Sequence, residues 1–473
     1  MSRTLRTRRA SLWFISVGCL LTGGVTLVSA PSWAVQSRPA LPASRAVHAV
    51  LTTSAKAGSL DSTFGQDGSV ISDTVQSEYA QAMTVQADRK ILVAGYQNGS
   101  GNVPHFLLKR FDASGKPDLS FGTGGRVVTA VRQAAVADQA FAVAVQPDGK
   151  ILVAGYVFSR SHHTDFALLR YTPAGALDTS FGTQGEAITT VGNGYSLSGA
   201  HAVVVQPDGR ILVAGIAPSD NNASKVALLR YTATGSLDPL FGDHGVTTTA
   251  VGSGTASNAT TIALLKDGRI LVAGSSNSAS SPGGFALLRY LASGKLDSSF
   301  GKQGKVVTVV GLSSGDHAAI ARAMTVLPDG GILLAGDAWV TANGEPAVNI
   351  GLAKYRADGS PDSSFGTGGN TVTTGSHGLG FQTSTALPSG KFMVIGNVFT
   401  ADSTNVYSLI RYLPDGKLDS AYGLNKNGVV PLEATESLFQ IASLFRQPDG
   451  KIVIAGSVDV KDVSHIVLAR FNP

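Results

Sequence analysis

The sequence predicts an all-β fold, a seven-bladed β-propeller of four-stranded antiparallel blades closed by an N-terminal strand that completes the last blade. Three observations carry that expectation. One unit recurs seven times at a spacing near sixty residues, every copy holds the same turn and apolar run, and the two ends of the repeat region are complementary pieces of one unit. The turn is Gln86 to Lys90, Gln146-Pro147-Asp148-Gly149-Lys150, Gln206 to Arg210, Leu265 to Arg269, Leu327 to Gly331, Leu387 to Lys391 and Gln447-Pro448-Asp449-Gly450-Lys451. An apolar run ending in glycine follows each, as Ile151-Leu152-Val153-Ala154-Gly155, with the glycine again at Gly95, Gly215, Gly274, Gly336, Gly396 and Gly456.

Within a unit, short runs rich in Val, Ile and Thr, punctuated by Asp-Gly, Pro and Gly without a 3.6-residue period, read as strands. Strand a spans Ala142 to Gln146 and favours small and branched residues. Strand b spans Lys150 to Gly155, joined to a by the Pro-Asp-Gly turn, where proline presets φ and Asp-Gly accepts the positive φ of a tight hairpin. Strand c is Phe166-Ala167-Leu168-Leu169-Arg170-Tyr171, echoed by Phe285 to Tyr290. Strand d is the β-branched stretch after Leu177-Asp178-Thr179-Ser180-Phe181-Gly182-Thr183-Gln184-Gly185.

One such sheet cannot bury both faces alone, so the units must stack. An open β-solenoid is the alternative, and its ends would need caps. Here the repeats begin with an orphan d segment, Leu60-Asp61-Ser62-Thr63-Phe64-Gly65 to Val75, and end after a c strand, His465 to Phe471. Pairing the two removes both exposed edges.

These motifs resemble the delta-sixty repeat family of bacterial exported proteins, marked by the Gln-Pro-Asp-Gly-Lys turn, the Arg-Tyr strand end and Leu-Asp-x-x-Phe-Gly. They are also similar to the NHL-type propeller repeat. The resemblance covers about residues 57 to 473. Lys354 replaces the arginine, Tyr422 the phenylalanine and Ser389 the turn aspartate, while Gly423 to Gly428 carries two extra residues. The resemblance implies a propeller and export, and brings no catalytic residue.

Residues 1–34 read as a secretory signal peptide: Arg3, Arg6, Arg8 and Arg9 precede an apolar stretch from Leu12 to Ala30, with small-residue cleavage sites at Val28-Ser29-Ala30 and Ser32-Trp33-Ala34. A retained membrane anchor competes, but Gly18, Gly23 and Gly24 dilute the run, so no stable membrane insertion is expected after cleavage. Residues 35–56, rich in Ala, Ser, Val and Pro, read as a flexible linker, and 57–473 as the propeller. The chain carries 37 Lys and Arg against 32 Asp and Glu. Seven of those cations precede residue 57, leaving 30 against 32 in the repeats. Without a clustered positive field a nucleic-acid partner is excluded. Cys19, the single cysteine, lies in the leader, so the mature chain has no disulfide.

The repeated polar residues invite chemistry and have a structural reading beside it. Asp61, Asp118, Asp178, Asp238, Asp297, Asp362 and Asp419 suggest metal ligands, yet each stands beside Ser, Thr or Pro where an aspartate caps backbone amides. Phe64, Phe121, Phe181, Phe241, Phe300, Phe365 and Tyr422 read as wedges between blades. Arg110, Arg170, Arg230, Arg289, Arg411 and Arg470 read as partners of those aspartates. Gly311-Leu312-Ser313-Ser314-Gly315 matches a nucleophile elbow in letters only, with no following helix. His162, His163 and Asp165, and Asp459, Asp462 and His465, lack a fixed fourth metal ligand. No catalytic residue, metal or cofactor is assigned.

The b-to-c and d-to-a connections leave the blades on one side and vary from copy to copy, as binding loops on a rigid scaffold do; neutral drift of solvent loops accounts for the same pattern. The longest holds Trp339 ahead of an Asn343-Gly344 turn, where a projecting indole suits sugars or protein partners. Tyr96, Tyr156, Phe158, Tyr195 and Phe399 lie in the same class of connection. The expected function is therefore a secreted or cell-surface, monomeric, non-catalytic binding or scaffold propeller for a protein or glycan of the envelope or matrix. The alternative is a channel-mouth enzyme such as a carbohydrate hydrolase or lyase.

Overall fold

The computed structural model describes residues 58–131, 135–159, 164–192, 198–219, 223–252, 256–277, 283–311, 319–342, 345–399, 405–423, 425–432 and 438–472. The leader, the linker, Cys19, Tyr195, His162, His163 and Ser313 lie outside them.

The described residues form strands, with one 3₁₀ turn at Ser100–Asn102. A lone d strand, β1 (Ser69–Ile71), comes first. Unit one is then β2 (Glu78–Val85), β3 (Ile91–Asn98), β4 (Pro104–Phe111) and β5 (Arg126–Thr129). Unit two is β6 (Ala135–Val145), β7 (Ile151–Ser159), β8 (Thr164–Tyr171) and β9 (Glu186–Thr189). Unit three is β10 (Gly199–Val205), β11 (Ile211–Pro218), β12 (Ser224–Tyr231) and β13 (Val246–Thr249), and unit four is β14 (Ala256–Leu264), β15 (Ile270–Asn277), β16 (Gly284–Tyr290) and β17 (Lys305–Thr308). Unit five is β18 (Ile320–Val326), β19 (Ile332–Ala342), β20 (Glu345–Tyr355) and β21 (Asn370–Thr373). Unit six is β22 (Leu379–Ala386), β23 (Phe392–Phe399), β24 (Asn405–Tyr412) and β25 (Val429–Pro431), and unit seven holds β26 (Leu438–Arg446), β27 (Ile452–Val460) and β28 (Val463–Phe471).

Each unit pairs antiparallel in a-b-c-d order, and one parallel bridge, Ser224 to Ala256, ties unit three to unit four. The a-to-b turn forms as its residues require. Gln146 N–H donates to the Lys150 carbonyl at 2.8 Å, and Gly149 takes φ +82°. β1 pairs antiparallel with β28, Ser69 opposite Ala469 and Ile71 opposite Val467, so unit seven also has four strands.

The core lies between units. Ile151 and Val153 of β7 pack with Leu92, Phe106 and Leu108 of unit one, while Leu152 and Ala154 on the other face pack with Ile211 and Val213 of unit three. A strand buried on both faces needs no polar alternation, which accounts for the unbroken apolar b runs. Each such leucine contributes about 2 kcal/mol by leaving water. The same kind of cluster joins unit one to unit seven, through Ala80, Ile91, Val93 and Leu107 against Val453, Ala455, Ile466 and Leu468. The a strands adjoin one another in chain order, and β26 adjoins β2.

Candidate functional site

The repeated polar residues build one module, seen clearly in unit two. Asp178 Oδ1 accepts from the Ser180 amide at 3.2 Å and its hydroxyl at 2.6 Å. Asp178 Oδ2 meets Arg170 Nε at 2.8 Å and Lys150 Nζ at 3.0 Å. The Arg170 guanidinium lies 4.4 Å over the Phe181 ring and donates from NH1 to the Ala233 carbonyl of the next unit at 2.5 Å. The Ser180 hydroxyl bond, with help from Lys150 and Arg170, outweighs burial and holds the Asp178 carboxyl well below the usual carboxylate range. The capping, pairing and wedging expected of these residues therefore stand. Among the described residues no group of three His, Cys, Asp or Glu side chains could hold a metal.

What these repeats leave free lies on the a strands. Each carries a β-bulge at one register: the pairing shifts at Ala80/Ala82, Ala140/Ala142, Ala200/Ala202, Ala259/Thr261, Ala321/Ala323, Phe381/Thr383 and Ile441/Ser443. In six of the seven units the recurring b-strand glycine leaves room for an a-strand carbonyl beside the bulge; in unit six Gly396 faces side chains instead. A Cβ on Gly155 would stand 1.9 Å from the Gln139 carbonyl, and one on Gly215 1.9 Å from that of Gly199. A bulge re-aims the residue it inserts. The seven inserted residues are Gln81, Phe141, His201, Thr260, Arg322, Gln382 and Ala442. Each is half-buried or exposed, although the residues just before them are buried. Identical backbone thus presents a different side chain in almost every unit.

Several of these side chains meet. The Phe141 and His201 rings stack at 5.4 Å and 9°, and Phe141 also stacks on Tyr156 at 5.7 Å. Thr260 Oγ1 donates to the Ala321 carbonyl of the following unit at 2.5 Å. Arg322 Nε meets Asp337 Oδ2 at 2.6 Å. His201 keeps some exposed surface but is so closely surrounded that burial, with the Arg322 charge, lowers its pKa to about 4. It is a neutral imidazole at pH 7. Tyr79 stacks on Tyr96 at 4.7 Å, and burial, with Tyr79 and Tyr156 nearby, pushes the Tyr96 phenol up to about 12.

Charged groups at the start of the a strands are spent on joining units. Asp138, fully buried, accepts from the Phe106 amide at 2.8 Å and the Val131 amide at 3.2 Å, with His105 Nδ1 at 3.2 Å. Burial raises its pKa. Glu78 Oε2 takes Lys109 Nζ at 2.7 Å and the Ser72 hydroxyl at 3.0 Å.

Of the aromatic residues singled out by sequence, Tyr96 and Tyr156 stand with the bulge residues, half-buried. Phe158 and Phe399 are also half-buried, at the ends of β7 and β23, with Phe399 beside Gly378. Trp339 departs from expectation: it sits within β19, opposite Val348, and is 7 % exposed, so it presents no broad free face. The segment leading out of unit four crosses it, Gly311 forming a parallel bridge to Trp339. Sequence reading missed Tyr79, Phe141, His201, Thr260 and Arg322. For the last four a fixed spacing was present: the inserted residue always stands five positions before the first residue of the a-to-b turn.

No curated protein matches the sequence. Among solved structures, the chain is similar to a glucose dehydrogenase at 10 % identity, over 69 % of this chain and 95 % of that one, with a TM-score of 0.37. It is similar to the GH43 endo-arabinanase from Bacillus licheniformis at 12 %, over 57 % and 91 %, with a TM-score of 0.32. It is also similar to Drosophila semaphorin 2a at 10 %, over 83 % and 73 %, with a TM-score of 0.43. No described helix is long and apolar enough to cross a membrane. A family profile matches all seven repeats, at residues 86–121, 146–181, 206–241, 265–300, 327–365, 387–422 and 447–473. With just over half its residues matched, the chain belongs to the family described as "Domain of unknown function (DUF5122) beta-propeller".

Proposed function

We propose that the chain is an exported, seven-bladed propeller, sealed where β1 completes the last blade, that acts as a non-catalytic binding module. Its ligand site is the mouth framed by the bulge residues of the a strands. The observation that carries this reading is the contrast at one register: seven equivalent bulges hold seven accessible positions, and six kinds of side chain stand there while the surrounding backbone repeats. Phe141, His201, Tyr156, Tyr96 and Tyr79 supply aromatic surface on one side, and Arg322 with Asp337 supplies a charged pair. Aromatic surface beside a few directed polar groups suits a glycan or a polypeptide. Phe158 and Phe399 form its outer margin in this reading.

A glycoside hydrolase at the same mouth would need a pair of carboxylates facing one substrate, and none of the seven bulge positions holds one. A glycan array and a pull-down from envelope extracts, run with the native chain and with a Phe141→Ala/His201→Ala double variant, test the proposal. Binding by the native chain that falls at least about tenfold in the variant, a loss of 1.4 kcal/mol, is expected. Equal binding by the two, or turnover of a bound glycan, would count against it.

A further inference from the structure

In six of the seven blades the Leu-Asp-x-x-Phe-Gly aspartate is held by two cations. One is the residue that closes the a-to-b turn: Lys90 at 3.1 Å, Lys150 at 3.0 Å, Arg210 at 2.9 Å, Arg269 at 3.5 Å, Lys391 at 2.9 Å and Lys451 at 2.7 Å. The other is the c-strand arginine. Where the first of these is an arginine, it also bridges to the turn aspartate, Arg210 to Asp208 at 2.6 Å and Arg269 to Asp267 at 2.5 Å. Blade five keeps both acids, Asp329 and Asp362, and has lost both usual cations. Gly331 stands where the first should be, and Lys354 replaces the arginine, ending 3.0 Å from Asp362 Oδ2.

The loss leaves space. Between blades five and six a cleft of about 260 Å³ opens on the turn side, lined by Leu327, Asp329, Lys354, Phe365, Phe392 and Pro414. Elsewhere the arginine fills this place, its guanidinium 4.1 to 4.7 Å over the blade's aromatic ring. The side chain of Asp362 is 17 % exposed, against 4 to 12 % for its six counterparts. The chain thus contains six filled examples of a cation slot and one that is open, with apolar walls of a kind that suits methylene groups.

We propose that the blade-five cleft binds a basic side chain, lysine or arginine, of a polypeptide partner, which takes the slot vacated at Gly331 between Asp329 and Asp362. This site uses none of the bulge residues and does not depend on the reading given to them. The other blades set the chemistry: four fill the slot with an ammonium and two with a guanidinium, so either head fits, and a neutral stem of the same length should not.

The test uses the chain with N-acetyl-lysine methylamide, N-acetyl-arginine methylamide and the neutral N-acetyl-norleucine methylamide, followed by NMR of the Leu327 and Leu333 methyl groups. The two cations should shift those methyls and norleucine should not. Gly331→Lys, which refills the slot from within, should weaken binding at least about tenfold, equivalent to 1.4 kcal/mol, and Asp329→Asn should weaken it without altering the fold. The Phe141→Ala/His201→Ala variant should bind as the native chain does. Absence of shifts with both cations, or undiminished binding by Gly331→Lys, would overturn the proposal. Binding of n-butylamine or n-butylguanidine without binding of the capped amino acids would refute a polypeptide occupant.

Discussion

At the scale of single residues the chain separates into positions that repeat and positions that do not, and the two respond differently to change. Arg170 joins Asp178, the Phe181 face and the Ala233 carbonyl in one buried cluster. Removing one partner strands the others, so Arg170→Ala should cost about 3 kcal/mol or more, read as a lower midpoint in denaturant unfolding. Ligand affinity below that midpoint should persist. His201 shows its effect through pH. Its folded pKa of about 4 lies below the ordinary 6.5, so its neutral form adds stability that is complete above pH 6.5 and is lost as pH falls toward 4. The melting temperature should decline across that window in the native chain and flatten there in His201→Phe. The aspartates act lower: Asp297, its pKa held at about 2 by the Ser299 hydroxyl bond and by Arg289, supports the fold until pH drops below the usual 3.8. The repeated Asp, Arg and Phe roles were legible because seven copies at fixed spacing constrain each other. His201 and Phe141 share a fixed spacing to the a-to-b turn, but that spacing does not reveal a bulge, which is a property of register between two strands and leaves no break in the apolar pattern of either.

At the scale of elements, the a-b hairpin is the part whose geometry decides the most. Gly155→Ala would push a methyl to within 1.9 Å of the Gln139 carbonyl. Overpacking against backbone that has no room to yield should cost about 2 to 3 kcal/mol and disturb the Phe141-His201 stack. Phe141→Ala itself should change stability far less, because that side chain is only half-buried. Comparing the unfolding midpoints of the two variants checks the distinction. The longest hairpin, β19–β20, was foreseen from its length and its Asn-Gly tip, but the burial of Trp339 was not. The connection leaving unit four bridges to its backbone at Gly311, and sequence spacing alone does not reveal which segments cross.

At the scale of the whole repeat array, the register of β1 on β28 joins residues almost four hundred positions apart. Asp61 takes Arg470 Nε at 2.6 Å and Lys451 Nζ at 2.7 Å, so the shared module of unit seven is assembled from both ends of the repeats. Deleting residues 58–72 would expose the edge of β28 and orphan Arg470. It should replace one cooperative thermal transition with a broad, earlier one; an unaltered transition in calorimetry would remove the sealing role proposed for β1. The all-β class and the order of strands within a unit were readable from the repeats, whereas the open slot in blade five became visible only once its six filled counterparts could be laid beside it. The arrangement of Asp61 also orders events in time. A growing chain makes its first aspartate early and must carry it without either cation until β27 and β28 have been synthesised, so the seventh blade is the last to be completed. Products that stop short of Lys451 would keep an unpaired strand edge and an unpaired carboxylate together.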